Sequence, residues 1–258
     1  MTLVGAARPA VAARLRREAR RHPQYGAVLA VAAAWAAVLA YHATAVHEHT
    51  ARAYAVTPGS VAASVLHNLP MWTVTCVAMM VPTALPAVRH VGLNSLRWRR
   101  QRSIAVFLSA YLGLWVLFGL VALVLSALVD GRPTANLALA AGLAAAGGWL
   151  ALPGQQRFRR ACHRTVPLPP TGWRAARGCA RFGLRHGAAC VGMCWPLMLV
   201  MALVAHGSVL WMIALTGAAA AVKLLPHGQR IARSLAVVLG TVAVVVLLAR
   251  FGAGFPGT

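Results

Sequence analysis

The stretch HGAACVGMCWPLMLVM, residues 186–201, concentrates imidazole, thiol and thioether groups. His186, Cys190 and Cys194 are spaced i, i+4, i+8, so on a helix each sits one turn beyond the last. At about 100° per residue, they share an arc of roughly 100° with Met193 and Met201, and Met198 lies just outside it. Thiolates and thioethers are soft ligands that select Cu(I), zinc or iron–sulfur clusters. A ladder of such groups at one-turn spacing suits stepwise exchange of a soft ion. The plain alternative is packing, because Cys and Met are ordinary buried residues and Met fills gaps in cores. A single Cys or Met would carry no weight here, whereas His, two Cys and several Met on one face do. Pro196 has no backbone donor, and with Gly192 it loosens the helix and frees carbonyl groups.

A second sulfur cluster lies in MWTVTCVAMMVPTALP, residues 71–86, where Cys76, Met79 and Met80 fall on neighbouring turns. Counting about 1.5 Å per residue along two antiparallel helices puts Met80 at the depth of Cys190 and Cys194. The two clusters form one site if their helices are neighbours. A third group, His42, His47, Glu48 and His49 with His67 further on, offers imidazoles for copper or zinc, or is simply a solvated polar loop. Cys162-His163 and Cys179 are too sparse to be sites by themselves. Glu18, Glu48 and Asp130 are the only carboxylates. That scarcity excludes paired-acid catalysis and any oxygen-built calcium or magnesium site.

The elements that position these residues are long apolar runs. The chain has 258 residues, 60% of them hydrophobic and 11% charged, where a soluble domain carries roughly 25% charged residues. Mean hydropathy is +0.68. Seven runs are long enough to cross a bilayer as helices: residues 25–42, 61–88, 103–129, 135–152, 186–205, 208–225 and 232–250. The second contains Pro70, Pro82 and Pro86, which predict a bend. The fourth is short and rich in Ala and Gly, as suits a closely packed inner helix. The expected fold is an all-α polytopic transmembrane helix bundle of residues 25–252. It follows an Arg-rich cytoplasmic segment, 1–24, and ends in a short extracytoplasmic tail, 253–258. Residues 14–45 resemble a secretory signal, but their apolar run exceeds the usual 7–15 residues, so it reads as an uncleaved first helix. The loop with Pro167, Pro169, Pro170 and Gly172 reads as an extended turn rather than a separate domain.

The charge pattern fixes the expected orientation. A net charge of +22 is compatible with nucleic-acid binding in isolation, but the placement of the 25 Lys+Arg rejects it. The N-terminal segment and the loops after the second, fourth and sixth runs hold all but Arg52, Arg132 and Arg250, with Lys223, Arg230 and Arg233 in the last of these loops. The positive-inside rule then puts the N-terminus in the cytoplasm and the C-terminus outside. Such arginines also favour anionic headgroups. The expected location is the inner (plasma) membrane, with a lipid bilayer and a metal ion as partners and no nucleic acid.

These motifs resemble the bacterial family of predicted metal-binding integral membrane proteins, copper-chaperone-like, also called domain of unknown function 2182. The resemblance covers roughly residues 66–235 and rests on three segments: MWTVTCVAMMVPTALP, CHRTVPLP and GLRHGAACVGMCWPLMLVM. It implies metal binding with a preference for copper, and it points to Met79, Met80, His186, Cys190, Cys194 and Met198, and more weakly to Cys162. Phe158 and Arg159 stand where the family often has a second loop cysteine, and Val222-Lys223 where it often has Glu-Lys. A cytoplasmic dithiol and a carboxylate role are therefore not carried over.

The candidate metal ligands are thus His186, Cys190, Met193, Cys194, Met198, Met79, Met80 and Cys76, with Cu(I) as the expected metal. The first functional reading is a membrane protein that handles Cu(I) for transport or delivery to a copper enzyme. The alternatives are a membrane subunit or assembly partner of a copper oxidase or monooxygenase, and a purely structural subunit. A catalytic copper favours several clustered histidines, which the spans do not supply. The charge partition generates a test of topology. Cysteines placed at positions 97 and 177, in a background without native cysteines, should resist an impermeant label in sealed cells, and a cysteine at position 132 should react. Labelling at 177 from outside would sink the seven-span arrangement.

Overall fold

The computed structural model describes residues 22–47, 61–129, 135–169, 171–203 and 209–252. Among these the chain is all α-helical, in eight helices: α1 (Tyr25–His47), α2 (Val61–Leu93), α3 (Arg100–Val129), α4 (Ala135–Ala151), α5 (Gln155–Cys162), α6 (Gly172–Leu203), α7 (Val209–Leu224) and α8 (Gly228–Gly252). Five of them, α1, α2, α3, α6 and α8, are long and apolar enough to cross a membrane, and α4 and α7 are shorter apolar helices. Each of the seven expected runs is a helix. The boundaries differ most at α6, which begins at Gly172 rather than at His186, so Arg174, Arg177, Arg181 and Arg185 lie on its first turns and not in a loop. The expected extended turn after α4 also contains a helix, α5, whose sequence QQRFRRAC is polar with only Gln155 and Cys162 buried. The histidine-rich group around Glu48 and His49, and the terminal segments 1–21 and 253–258, lie outside the described residues.

The burial pattern sorts the helices into inner and outer ones. The most apolar windows of α2 and α6 are 61% buried, those of α8 and α1 only 17% and 22%. Leu117, Val121, Val237, Val244 and Leu248 are exposed on α3 and α8. Apolar faces of this extent are unstable in water, but they match lipid. The inner helices carry the sulfur clusters. α3 packs extensively against both α6 and α2, α4 packs against α8, and α7 leans on α2. Trp72, Phe107, Tyr111 and Trp115 are fully buried between them.

Small residues set the closest approach. A Cβ on Gly183 would collide with the Phe107 carbonyl of α3, and one on Gly187 would sit 3.0 Å from Leu114 and 3.2 Å from the Tyr111 carbonyl. The pair forms a Gly-x-x-x-Gly face on α6, which lets backbones approach in lipid.

Two proline breaks in the helical ladder are closed by tryptophans. Pro82 cannot donate to the Ala78 carbonyl, and Trp35 Nε1 of α1 donates to it instead at 3.0 Å. Pro196 leaves the Gly192 carbonyl free, and Trp149 Nε1 of α4 donates to it at 3.0 Å. One end of the bundle gathers the start of α3, the end of α2, the loop before α6 and the end of α7. There Arg99 donates to the Gly172 carbonyl at 3.0 Å, His90 Nε2 to the Val166 carbonyl at 3.1 Å, and His163 Nε2 to the Lys223 carbonyl at 2.9 Å.

The sequence reading placed Lys223 with the cytoplasmic loop charges. The structure corrects this: Lys223 ends its helix with only 2% of its side chain exposed, turned into the bundle. The packing of α6 on α3 generates a test. Gly183→Ala forces two backbones apart and should cost about 1–3 kcal/mol by overpacking. A lower midpoint of thermal unfolding in detergent is the expected outcome, and an unchanged midpoint would show that the helices part freely.

Candidate metal centre

The ladder on α6 faces inward along its length. His186, Cys190, Met193, Cys194, Met198 and Met201 are all buried. Cys76, Met79 and Met80 on α2 are buried too, and all of these sulfur-bearing residues belong to one continuous core cluster with Cys162. The two expected sulfur groups share one buried cluster, although the backbones of α2 and α6 are not close neighbours. Side chains carried by α3 and α2 link Cys190 to the Met80 backbone. Tyr111 of α3 donates or accepts at Cys190 Sγ, 3.2 Å away, and reaches the Met80 carbonyl at 3.1 Å. Thr83 Oγ1 of α2 lies 4.0 Å from the same sulfur and donates to the Met80 carbonyl at 2.8 Å.

Cys190 and Cys194 stand one turn apart on a helix whose Gly192 carbonyl is held by Trp149. All five cysteines are free and buried. Lys223 Nζ completes the site. It donates to Thr83 Oγ1 at 3.1 Å and to Cys190 Sγ at 3.6 Å, and it lies 3.4 Å from His186 Nε2.

His186 sits within 6.0 Å of the rings of Phe107, Tyr111 and Phe182, in an aromatic cage. Its Nε2 faces Lys223, and its Nδ1 is buried with no hydrogen-bond partner. Metal-ligating histidines almost always donate their second N–H to a neighbour. In this arrangement His186 is a contact of the ammonium rather than an oriented ligand. Among the described residues, no three His, Cys, Asp or Glu side chains converge as a metal-holding group. Cys190 and Cys194 thus lie in a buried cluster that also holds Met79, Met80, Met193, Met198 and Met201.

Cys162, the last residue of α5, is buried in the same core cluster. Burial pushes its thiol up to about 12. The Lys223 charge pulls it down, and Cys190 pushes it further up. Cys162 shares the buried cluster with the sulfur pair, and the adjacent His163 bonds the Lys223 carbonyl, which its position in a short polar segment did not reveal. Tyr111, Thr83 and Lys223 were also missed. Tyr111 and Thr83 look like ordinary span residues, whereas a lysine at the end of an apolar run was a usable signal, since an ionisable group inside a membrane marks a functional site by default.

No curated protein and no solved structure matches this chain. The profile of the PpoB2 family, described as a copper chaperone, matches residues 69–246. That match spans α3, α4, α5, α6 and α7 whole, with most of α2 and α8. It includes every residue of the sulfur cluster and Lys223, and the chain belongs to this family of copper chaperones.

Proposed function

We propose that the protein is an integral membrane copper chaperone that carries Cu(I) on the Cys190–Cys194 pair, for transport through the bilayer or delivery to a copper enzyme. One observation supports this reading: two thiols one helical turn apart, fully buried in a thioether-rich core that contains no carboxylate among the described residues. Soft sulfur ligands select Cu(I). A structural zinc takes four protein ligands, and the pair with a hydrogen-bonded histidine does not offer four. Cu(I) is the cargo here, and Met79, Met80, Met193 and Met198 are the thioethers to which it passes from the pair. Cys76 lies further along α2 in the same cluster. In this reading the seven apolar helices all cross the plasma membrane, with the N-terminus and the arginine-rich ends in the cytoplasm. The alternation of basic loops supports it, as do the contacts that tie Arg99, His90 and His163 together at one end of the bundle.

Competition with a Cu(I) chelator on folded, monodisperse protein tests the site. Cys190→Ser or Cys194→Ser replaces a soft thiolate by a hard hydroxyl. Either should weaken binding by more than the roughly 10–100-fold that loss of an outer partner costs. Met80→Leu conserves volume and apolarity, so it should fold normally while binding copper less tightly. Full copper affinity in the Cys190→Ser, Cys194→Ser double variant would reduce the sulfur cluster to packing.

A further inference from the structure

Among the described residues, the sulfur pair has a buried lysine against it and no carboxylate. Lys223 Nζ is 3.6 Å from Cys190 Sγ, and Thr83 Oγ1 holds the ammonium at 3.1 Å. Tyr111 holds the same sulfur from α3 at 3.2 Å, so both members of the contact are fixed from separate helices. The three carboxylates of the chain, Glu18, Glu48 and Asp130, all lie outside the described residues. Arg99, the other buried cation among the described residues, is at the end of the bundle, on the Gly172 carbonyl.

A thiol that coordinates a metal is deprotonated outright, its proton passing to solvent. The two thiolates bring two negative charges and the Lys223 ammonium brings one positive charge. A monovalent ion closes the balance at zero, and a divalent ion leaves the site with one net positive charge. Uncompensated charge in a low-dielectric interior is costly. A thiolate sulfur has lone pairs for both a metal and the ammonium hydrogen bond, so Lys223 keeps its contact with Cys190 when the ion is bound. The Nε2 of His186 has a single lone pair, so it serves the ammonium or a metal, not both.

We propose that Lys223 is a specificity-determining residue: its fixed charge tunes the Cys190–Cys194 pair to monovalent soft ions and against divalent ones. The inference rests on the reading of that pair as a metal site. It goes beyond that reading by assigning the discrimination to a residue that does not bind the metal.

Ag(I) and Cd(II) test it, because they are isoelectronic, sulfur-seeking and redox-inert and differ chiefly in charge. Their affinities are measured by competition titration on the full chain in lipid nanodiscs. The variants are the native protein, Lys223→Met, Lys223→Gln, Lys223→Arg and the Cys190→Ser, Cys194→Ser double variant. Loss of the charge in Lys223→Met should lower the Ag(I)-to-Cd(II) affinity ratio by roughly 100-fold or more, with Ag(I) binding weakened and Cd(II) binding kept or strengthened. Lys223→Gln keeps a hydrogen-bond donor for Thr83 and lacks the charge, so it should shift the ratio the same way even if the Met variant fails to fold. Lys223→Arg should restore the native ratio, which general damage to the fold would not. An unchanged ratio in the neutral variants, with native binding lost in the double cysteine variant, overturns the role of Lys223 and leaves the metal site standing. Ag(I) affinity that survives in the double cysteine variant overturns both readings.

Discussion

A peptide carbonyl that loses its helical donor inside an apolar medium has no water to turn to, so another protein group must reach it. Four prolines interrupt the two inner helices, and two of the resulting gaps are closed by indole N–H groups from neighbouring helices. These bonds repair the backbone and also fix relative position. Trp35 ties α1 to α2 at Ala78, next to Met79 and Met80. Trp149 ties α4 to α6 at Gly192, between Cys190 and Cys194. The proline breaks therefore fall where the sulfur groups are, and the helices that repair them become supports of the candidate centre. A neutral hydrogen bond of this kind contributes about 1 kcal/mol net, but an orphaned buried carbonyl costs about 1–3 kcal/mol. The second figure explains why an indole donor is placed at these two gaps.

The same medium governs charge. With no carboxylate among the described residues, the side-chain partners open to a buried lysine are sulfur, hydroxyl and imidazole, and Lys223 contacts one of each. This gives the cluster of Thr83, His186, Cys190 and Lys223 a polarity that packing alone would not select. A core built only for stability would place an apolar residue at position 223, as it does at the adjacent Val222.

Much of this was legible in sequence, for physical reasons. Bilayer thickness sets the length expected of a span; of the seven expected runs, five correspond to helices long and apolar enough to cross a membrane and two to shorter apolar helices. The inward face of α6 follows from a period of 3.6 residues, which puts His186, Cys190 and Cys194 in line. Other features could not be read. Met80 and Cys190 belong to helices whose backbones barely approach, and the side chain that bridges them, Tyr111, sits in an unremarkable apolar run. Periodicity says which way a residue faces on its own helix and nothing about what lies opposite. Lys223 was misplaced because its position near the end of a run fits a loop charge as well as a buried one. The start of α6 was misplaced because its first turns, rich in arginine, have no apolar signal.

His186 shows how geometry changes a reading made from spacing. Its position one turn before Cys190 suits a third ligand. Yet the ring nitrogen that faces the site meets an ammonium group, and the other has no partner to set its tautomer. A ligand histidine is usually fixed by a hydrogen bond on its far nitrogen, and the cage of Phe107, Tyr111 and Phe182 fixes this ring by packing instead. The imidazole therefore serves as a neutral acceptor that helps hold Lys223 against Cys190. That assignment leaves Cys190 and Cys194 as the two residues that would hold the proposed ion. On the proposed function, such a pair would hold a soft ion by few bonds and could release it without first dismantling a closed shell.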